Sequence, residues 1–272
     1  MPVSTDYTFK IGKTHSVCQD YARSGSVNEV DYIILSDGCS TAPDTDIGAR
    51  ALVIATENEI RFKTNNFKDW EFSIVRVLDN LKKIGWSLPI KTFSATLLVG
   101  IRKDEWFYGY IFGDGMIAGK QLDGNILACW REFPSGAPYY PVYELEGKED
   151  YLEQFSNSLI DSTQLIGVET EPCKSSFLID PCWHMQLPVE EFSSISLFSD
   201  GIFSFTDVDR PTSGTLSTKK VDFKEVLQEV LAFKNTNGQF VQRRVNRAFS
   251  EYEKKGRFHQ DDFSMTTMSI TR

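Results

Sequence analysis

A chain of 272 residues, 41% hydrophobic and 13% aromatic, is long enough to bury one substantial core. Its net charge of -9 and its scattered Lys and Arg argue against a nucleic-acid backbone as the main partner, because that binding draws on clustered cations. No apolar stretch reaches the ~20 residues that span a bilayer, and residues 1–6 have neither the basic start nor the apolar core of a signal peptide, so a cytoplasmic protein without a membrane partner is expected.

Tyr7, Phe9 and Ile11 alternate with polar residues and predict a half-buried opening strand that stops at Gly12. A polar connector over 13–20 follows, ending in Asp20, and residues 28–30 turn the chain. Tyr32, Ile33, Ile34 and Leu35 form a β-favouring apolar run that stops at Asp37-Gly38. A helix is expected over 46–62, since Asp44, Thr45 and Asp46 offer N-caps before an apolar face. Trp70, Ile74, Val77, Leu78, Leu81 and Ile84 keep helical spacing and predict a second helix up to Gly85. Strands over 92–101 and 106–112, then 116–121 and 126–130, follow so closely that an antiparallel meander is the economical arrangement.

Between 132 and 191 the pattern blurs. Pro134, Pro138 and Pro141 break regular structure, 144–153 is acidic, and 156–167 reads as a short helix or an irregular loop. This stretch is expected to be a surface excursion with a strand or two bordering a substrate groove. Order returns with a strand over 195–199, helices marked by Phe223 to Leu231 and Phe240 to Tyr252, and a closing strand over 263–271 that follows Asp261-Asp262. No linker or repeat divides the chain, so residues 1–272 read as a single domain of sheets with helices packed outside. Five cysteines (Cys18, Cys39, Cys129, Cys173 and Cys182) form no CxxC pair and read as reduced small hydrophobes, not as a disulfide framework or zinc site.

The informative residues are acids at strand ends. Asp37-Gly38, Gly113-Asp114-Gly115 and Asp200-Gly201 each follow a β-type run, while Asp20 and Asp261 flank others. One Asp-Gly alone is more commonly a turn. Five acids in the same local context favour a shared site for hard cations such as Mg²⁺ or Mn²⁺, which take carboxylate oxygens. Two such ions can clamp a phosphate and activate a water without any side-chain nucleophile.

The ordered motifs resemble those of the type 2C, metal-dependent serine/threonine protein phosphatases, most of all their bacterial branch. The matching segments are Gly12-x-x-His15 with Cys18-Gln19-Asp20, Leu35-Ser-Asp37-Gly38 followed by Gly48-Ala49, Ser94-Ala95-Thr96, Gly113-Asp114-Gly115, Ser199-Asp200-Gly201 and Asp261-Asp262-Phe263-Ser264. They span nearly the whole chain. The resemblance implies an α+β fold, a four-layer α-β-β-α sandwich of two central antiparallel sheets flanked by helices. It also implies a two-metal centre at one end of the sandwich, with a weaker third ion, and a phosphorylated protein as substrate. By the same resemblance Asp37 bridges both ions, the Gly38 carbonyl binds one, Asp200 and Asp261 bind the other, Asp20 holds bound water or a metal directly, and Asp114 serves the third. A hydroxide between the ions would then attack phosphorus in line, with no phosphoenzyme.

The sequence departs from the family pattern at four places. Gln19 stands where many members have Glu, His15 where a phosphate-binding Arg is common, Cys39 where some relatives have His, and Ser204 where many carry an acid for the third metal, with Asp207 as a substitute for it. A cationic His15 would contact phosphate or protonate the leaving group; the alternative is a hydrogen bond within its own loop. His184 and His259 are too isolated for a zinc motif. These departures motivate a second reading, a catalytically weak phosphatase-like module that binds a phosphorylated partner in signalling. A phosphohydrolase that forms an aspartyl-phosphate ranks last, since Leu35 occupies the place of its nucleophile.

Overall fold

Residues 32–35 are fully buried on both faces of their strand, which is why they read as a continuous apolar run and not an alternating one. Ile33 and Leu35 point into the space between two sheets, while Tyr32 and Ile34 point the other way, against helices. The computed structural model describes residues 2–66, 72–84, 87–155, 160–166, 173–175, 182–209 and 217–271.

In chain order the elements are β1 (Val3–Lys10), β2 (Asp20–Val27), β3 (Val30–Asp37), α1 (Thr45–Asn66), α2 (Ile74–Ile84), β4 (Leu97–Lys103), β5 (Trp106–Phe112), β6 (Gly115–Gln121), β7 (Ile126–Glu132), α3 (Lys148–Phe155), β8 (Ile160–Ile166), β9 (Cys173–Ser175), β10 (Trp183–Pro188), β11 (Phe192–Phe198), β12 (Phe205–Asp209), β13 (Ser217–Lys220), α4 (Phe223–Val230), α5 (Phe240–Lys254), β14 (Arg257–His259) and β15 (Phe263–Ile270). One antiparallel sheet has seven strands in the order β1-β15-β11-β6-β7-β8-β9, and the other has five in the order β10-β5-β4-β3-β2. A small third sheet joins β13, β12 and β14.

Three apolar layers define the stacking. Leu52, Val53, Val77, Leu78 and Leu81 of α1 and α2 cover Tyr32, Ile34, Leu97 and Val99 on the outer face of the five-stranded sheet. Ile33, Leu35, Leu98 and Phe107 meet Ile117, Ile195, Leu197 and Met268 between the sheets. Val226, Leu227, Val241 and Val245 of α4 and α5 cover Met116, Ala128 and Met265 on the outer face of the seven-stranded sheet. The result is the expected α-β-β-α order of two antiparallel sheets flanked by helices. Among the described residues no helix is long and apolar enough to cross a membrane. Cys18, Cys39, Cys129 and Cys182 are outside any disulfide.

Several expectations need correction. The connector ending at Asp20 runs straight into β2, a strand the sequence did not signal, and Asn28 and Glu29 turn it into β3 with positive φ. Residues 90–93 form a 3₁₀ turn, so the strand expected over 92–101 starts only at Leu97. The meander breaks after β5: the chain crosses between sheets at Gly113-Asp114-Gly115, and β6 pairs with β11 and β7. Within the expected excursion, 148–155 is helix α3 and 160–166 is strand β8, not a helix or loop. Trp70, Gly85 and Gly167, which bounded expected elements, lie outside the described residues.

Candidate metal centre

The β2–β3 register sets Asp20 opposite Asp37 at the same end of the five-stranded sheet. Asp20 is only 2% exposed. Ser199 Oγ donates to its Oδ2 at 2.7 Å, and its Oδ1 is buried with no hydrogen-bond partner. Asp37 is anchored through its backbone: its N–H donates to Thr96 Oγ1 at 3.1 Å, and its carbonyl accepts from Thr96 N–H at 2.8 Å. Gly38 continues this strap as an isolated bridge to Ala95.

The other acids come from the chain's crossings and from the seven-stranded sheet. Asp114 sits at the crossing between sheets, held between Gly113 at φ +86° and Gly115 at φ +131°, backbone that L side chains rarely adopt. Asp200 opens the 3₁₀ turn Asp200–Phe203 just past β11, and its Oδ1 is buried without a partner. Its neighbour must be glycine, because a Cβ on Gly201 would fall 1.8 Å from the Asp262 carbonyl oxygen. That close approach brings Asp200 against the segment before β15, where Asp261 N–H donates to Ser204 Oγ at 3.3 Å.

Asp262, which the sequence reading left without a role, ties the two chain ends together. Nearly fully buried, it accepts from Gly12 N–H at 2.7 Å and Gln19 N–H at 2.6 Å. His15 lies between the two adjacent acids, Nδ1 3.0 Å from Asp262 Oδ2 and Nε2 3.3 Å from Asp261 Oδ1. Burial works to lower the His15 pKa, but the hydrogen-bonding Asp262 carboxylate, with the charges of Asp262, Asp261 and Asp20, outweighs it and raises it.

Burial and crowding set the charge state of the acids. Desolvation pushes the Asp20 carboxyl up to about 7 and that of Asp200 up to about 6, with the Asp262 charge adding at Asp20 and the Asp261 charge at Asp200. Asp37 is pushed well up by burial and then by the charges of Asp20, Asp200 and Asp114; Asp114 is pushed up by burial and then by Asp200. These acids therefore face one another across a small space.

That space is a cleft of about 370 Å³ lined by His15, Asp37, Gly38, Asp114, Asp200 and Asp261. Six of the seven residues proposed from sequence thus share one cleft, and Asp20 stands directly beside Asp37 in the sheet. Among the described residues, no group of three or more His, Cys, Asp or Glu side chains is placed so that it could hold a metal ion as it stands. The donors nevertheless fit a hard divalent cation: they are all oxygen, and two buried carboxylate oxygens, on Asp20 and Asp200, have no other partner.

Other candidates fall elsewhere. Asp207 pairs with Arg257 at 3.2 Å on the small sheet and does not line the cleft, so it does not replace the missing acid at Ser204, whose Oγ donates to the Gly201 carbonyl at 2.8 Å. His259 Nε2 lies 2.9 Å from the Ile11 carbonyl oxygen, with its ring against Phe205 and Phe249. His184 is an exposed position on β10, opposite Tyr110. Cys39 lines the cleft, its Sγ 3.1 Å from Thr41 Oγ1. Arg131, Glu132, Phe133 and Tyr140 form another wall of the cleft; the stretch from 132 was expected to border a groove, but the prolines within it mask any period that would single out these residues. For Asp262 a signal existed in the doublet with Asp261.

The sequence matches the protein phosphatase 2C family over residues 12–250. No curated protein matches the sequence. Similar solved structures include a bacterial serine phosphatase (TM-score 0.58, 12% identity, covering 98% of this chain and 97% of that one). Another is the serine/threonine phosphatase Stp1 from Staphylococcus aureus (TM-score 0.56, 10% identity, covering 100% and 96%). A third is PppA, described as a key regulatory component of T6SS in Pseudomonas aeruginosa (TM-score 0.55, 12% identity, covering 99% and 98%). At such identities the likeness is one of fold. With the family match covering most of the sequence, the chain belongs to the protein phosphatase 2C family.

Proposed function

We propose that this chain hydrolyses phosphoserine and phosphothreonine side chains of proteins with the help of two divalent cations, Mn²⁺ or Mg²⁺. The observation that supports this most directly is the meeting of Asp37, Asp114, Asp200 and Asp261 along one cleft in a member of this family. When bound, such ions would bind phosphate oxygens, lower the pKa of a water and stabilise charge on the leaving oxygen.

The chain's own part is to hold and orient. Asp37, with acids on several sides, would be shared between two ions, and the Gly38 carbonyl would join it on one of them. Asp200 and Asp261 would serve the other, with Asp20 supporting the set from the neighbouring strand and Asp114 serving a weaker third ion. His15 shares its two ring nitrogens between Asp261 and Asp262, so its charge holds the loop over 12–19 to the start of β15 and offsets the excess of carboxylates. The hydroxyls of Ser40, Thr41 and Tyr140 belong to residues on the same cleft, and they are the donors that would meet phosphate oxygens. No side-chain nucleophile is needed.

The test is hydrolysis of p-nitrophenyl phosphate and of a phosphoserine peptide, with Mn²⁺ or with chelator, by wild type and by Asp37→Asn. Mn²⁺-dependent turnover that the variant loses supports the reading. Wild-type turnover no faster than the variant's would favour the second reading, a module that binds a phosphorylated partner without cleaving it.

A further inference from the structure

Two uncharged residues, Gln19 and Thr45, grip the turn after Asp37 from behind. Gln19 Nε2 donates to Thr45 Oγ1 at 2.6 Å and to the Cys39 carbonyl at 3.4 Å, and Thr45 Oγ1 donates to that same carbonyl at 3.0 Å. Because the Thr45 hydroxyl gives its one proton to Cys39, it must accept from Gln19, and the Cys39 carbonyl can only accept. The side chain facing both must therefore present an NH₂ group, which a carboxylate cannot do. Thr45 is fully buried, so no water competes for its hydroxyl. The Gln19 backbone adds two more ties: its carbonyl accepts from Gly38 N–H at 3.2 Å, and its N–H donates to Asp262.

These bonds fix the two peptide planes on either side of Cys39. Cys39 N–H donates to the Ser94 carbonyl at 2.9 Å. In a planar trans peptide the preceding carbonyl points the opposite way, so the Gly38 carbonyl is aimed away from Ser94. The following plane is held by Gln19 and Thr45 through the Cys39 carbonyl. The fit is close, since a Cβ on Gly38 would come 2.8 Å from the Thr45 carbonyl oxygen.

We infer that Gln19 and Thr45 are positioning residues that set the Gly38 carbonyl for cation binding, and that Gln19 acts as an amide and not as a replaceable stand-in for an acid. This inference rests on the metal-dependent reading above. Gln19→Glu keeps the shape but sets an acceptor against an acceptor, and Thr45→Val keeps the volume but removes the hydroxyl. Thr45→Ser keeps the hydroxyl.

The experiment is calorimetric titration of the full chain with Mn²⁺, alongside thermal melts of the same variants in chelator. Gln19→Glu and Thr45→Val are each expected to weaken Mn²⁺ binding by about 10- to 100-fold, the usual range for groups that orient metal ligands. Thr45→Ser is expected to stay near wild type, and the double variant to be little worse than the weaker single one, because both act on one carbonyl. Wild-type Mn²⁺ affinity in Gln19→Glu and Thr45→Val overturns the inference, as does a lowered melting temperature with unchanged affinity, which would mark a merely structural role. If wild type itself binds no Mn²⁺, the metal-dependent reading falls instead, and this inference with it.

Discussion

His15 is the residue whose placement changes its reading most. Neither a hydrogen bond confined to its loop nor a free cation facing the substrate describes it, because both ring nitrogens meet carboxylates from the far end of the chain. In metal-free protein its imidazole is expected to titrate above 6.5, and Asp262→Asn should bring that value down, as read from the ring proton shifts in an NMR titration. A raised folded-state pKa means that this pairing stabilises the fold fully below the unfolded value and fades as pH rises through the folded one. The same substitution weakens the acceptor for Gly12 and Gln19, and should cost about 1–3 kcal/mol in chemical unfolding, since it leaves buried donors poorly met. The motif made His15 a candidate and it does line the cleft, but its partners were not legible: nothing in the spacing of Asp261-Asp262 says which of the two faces the cleft and which is buried.

At the scale of elements, what the sequence hid was made by neighbours. Residues 20–27 are too polar and too rich in Ser and Gly to read as a strand; they become β2 because β3 offers an eight-residue ladder from Asp20–Asp37 to Val27–Val30. Residues 92–96 read as strand by composition, but α1 lies against them so closely that a Cβ on Gly48 would fall 1.8 Å from the Thr92 carbonyl oxygen. Long apolar runs such as 32–35 and the helical spacings of α2, α4 and α5 were legible because burial on defined faces wrote them into the sequence. Two long-range polar ties should be measurable. Asp6 on β1 accepts from Val241 N–H at 2.7 Å and Gln242 N–H at 3.2 Å, capping α5 from another element. Asp6→Ala is expected to lower stability by about 1–2 kcal/mol, and Asp6→Asn by less, in urea unfolding. Glu57 of α1, nearly buried, accepts from Tyr32 at 2.6 Å and from Arg61 at 2.9 Å and also pairs with Arg23. Glu57→Ala should cost about 1–3 kcal/mol, because it leaves the buried Tyr32 hydroxyl without its acceptor while both arginines can turn to water.

For the molecule as a whole, the acids that would hold cations are a liability to the metal-free fold. Carboxyls raised from 3.8 to about 7 at Asp20 and about 6 at Asp200 bind protons more tightly when folded than when unfolded. Their contribution to stability is therefore fully present below the unfolded value and is lost as pH rises through the folded values. In chelator the melting temperature should fall between about pH 5 and about pH 7.5, and Mn²⁺ should restore it at the upper end by binding the ionised acids. A melting temperature flat across that window and indifferent to Mn²⁺ would mean that the acids do not act as a coupled set. The central claim is that side chains brought from both sheets and both ends of the chain converge on one cation site. Anomalous diffraction from crystals grown with Mn²⁺ tests it most directly: two strong peaks are expected in the cleft, one within ligand distance of both Asp37 and the Gly38 carbonyl and the other shared by Asp37, Asp200 and Asp261. Peaks confined to other parts of the surface, or none touching Asp37 and Asp200, would contradict it.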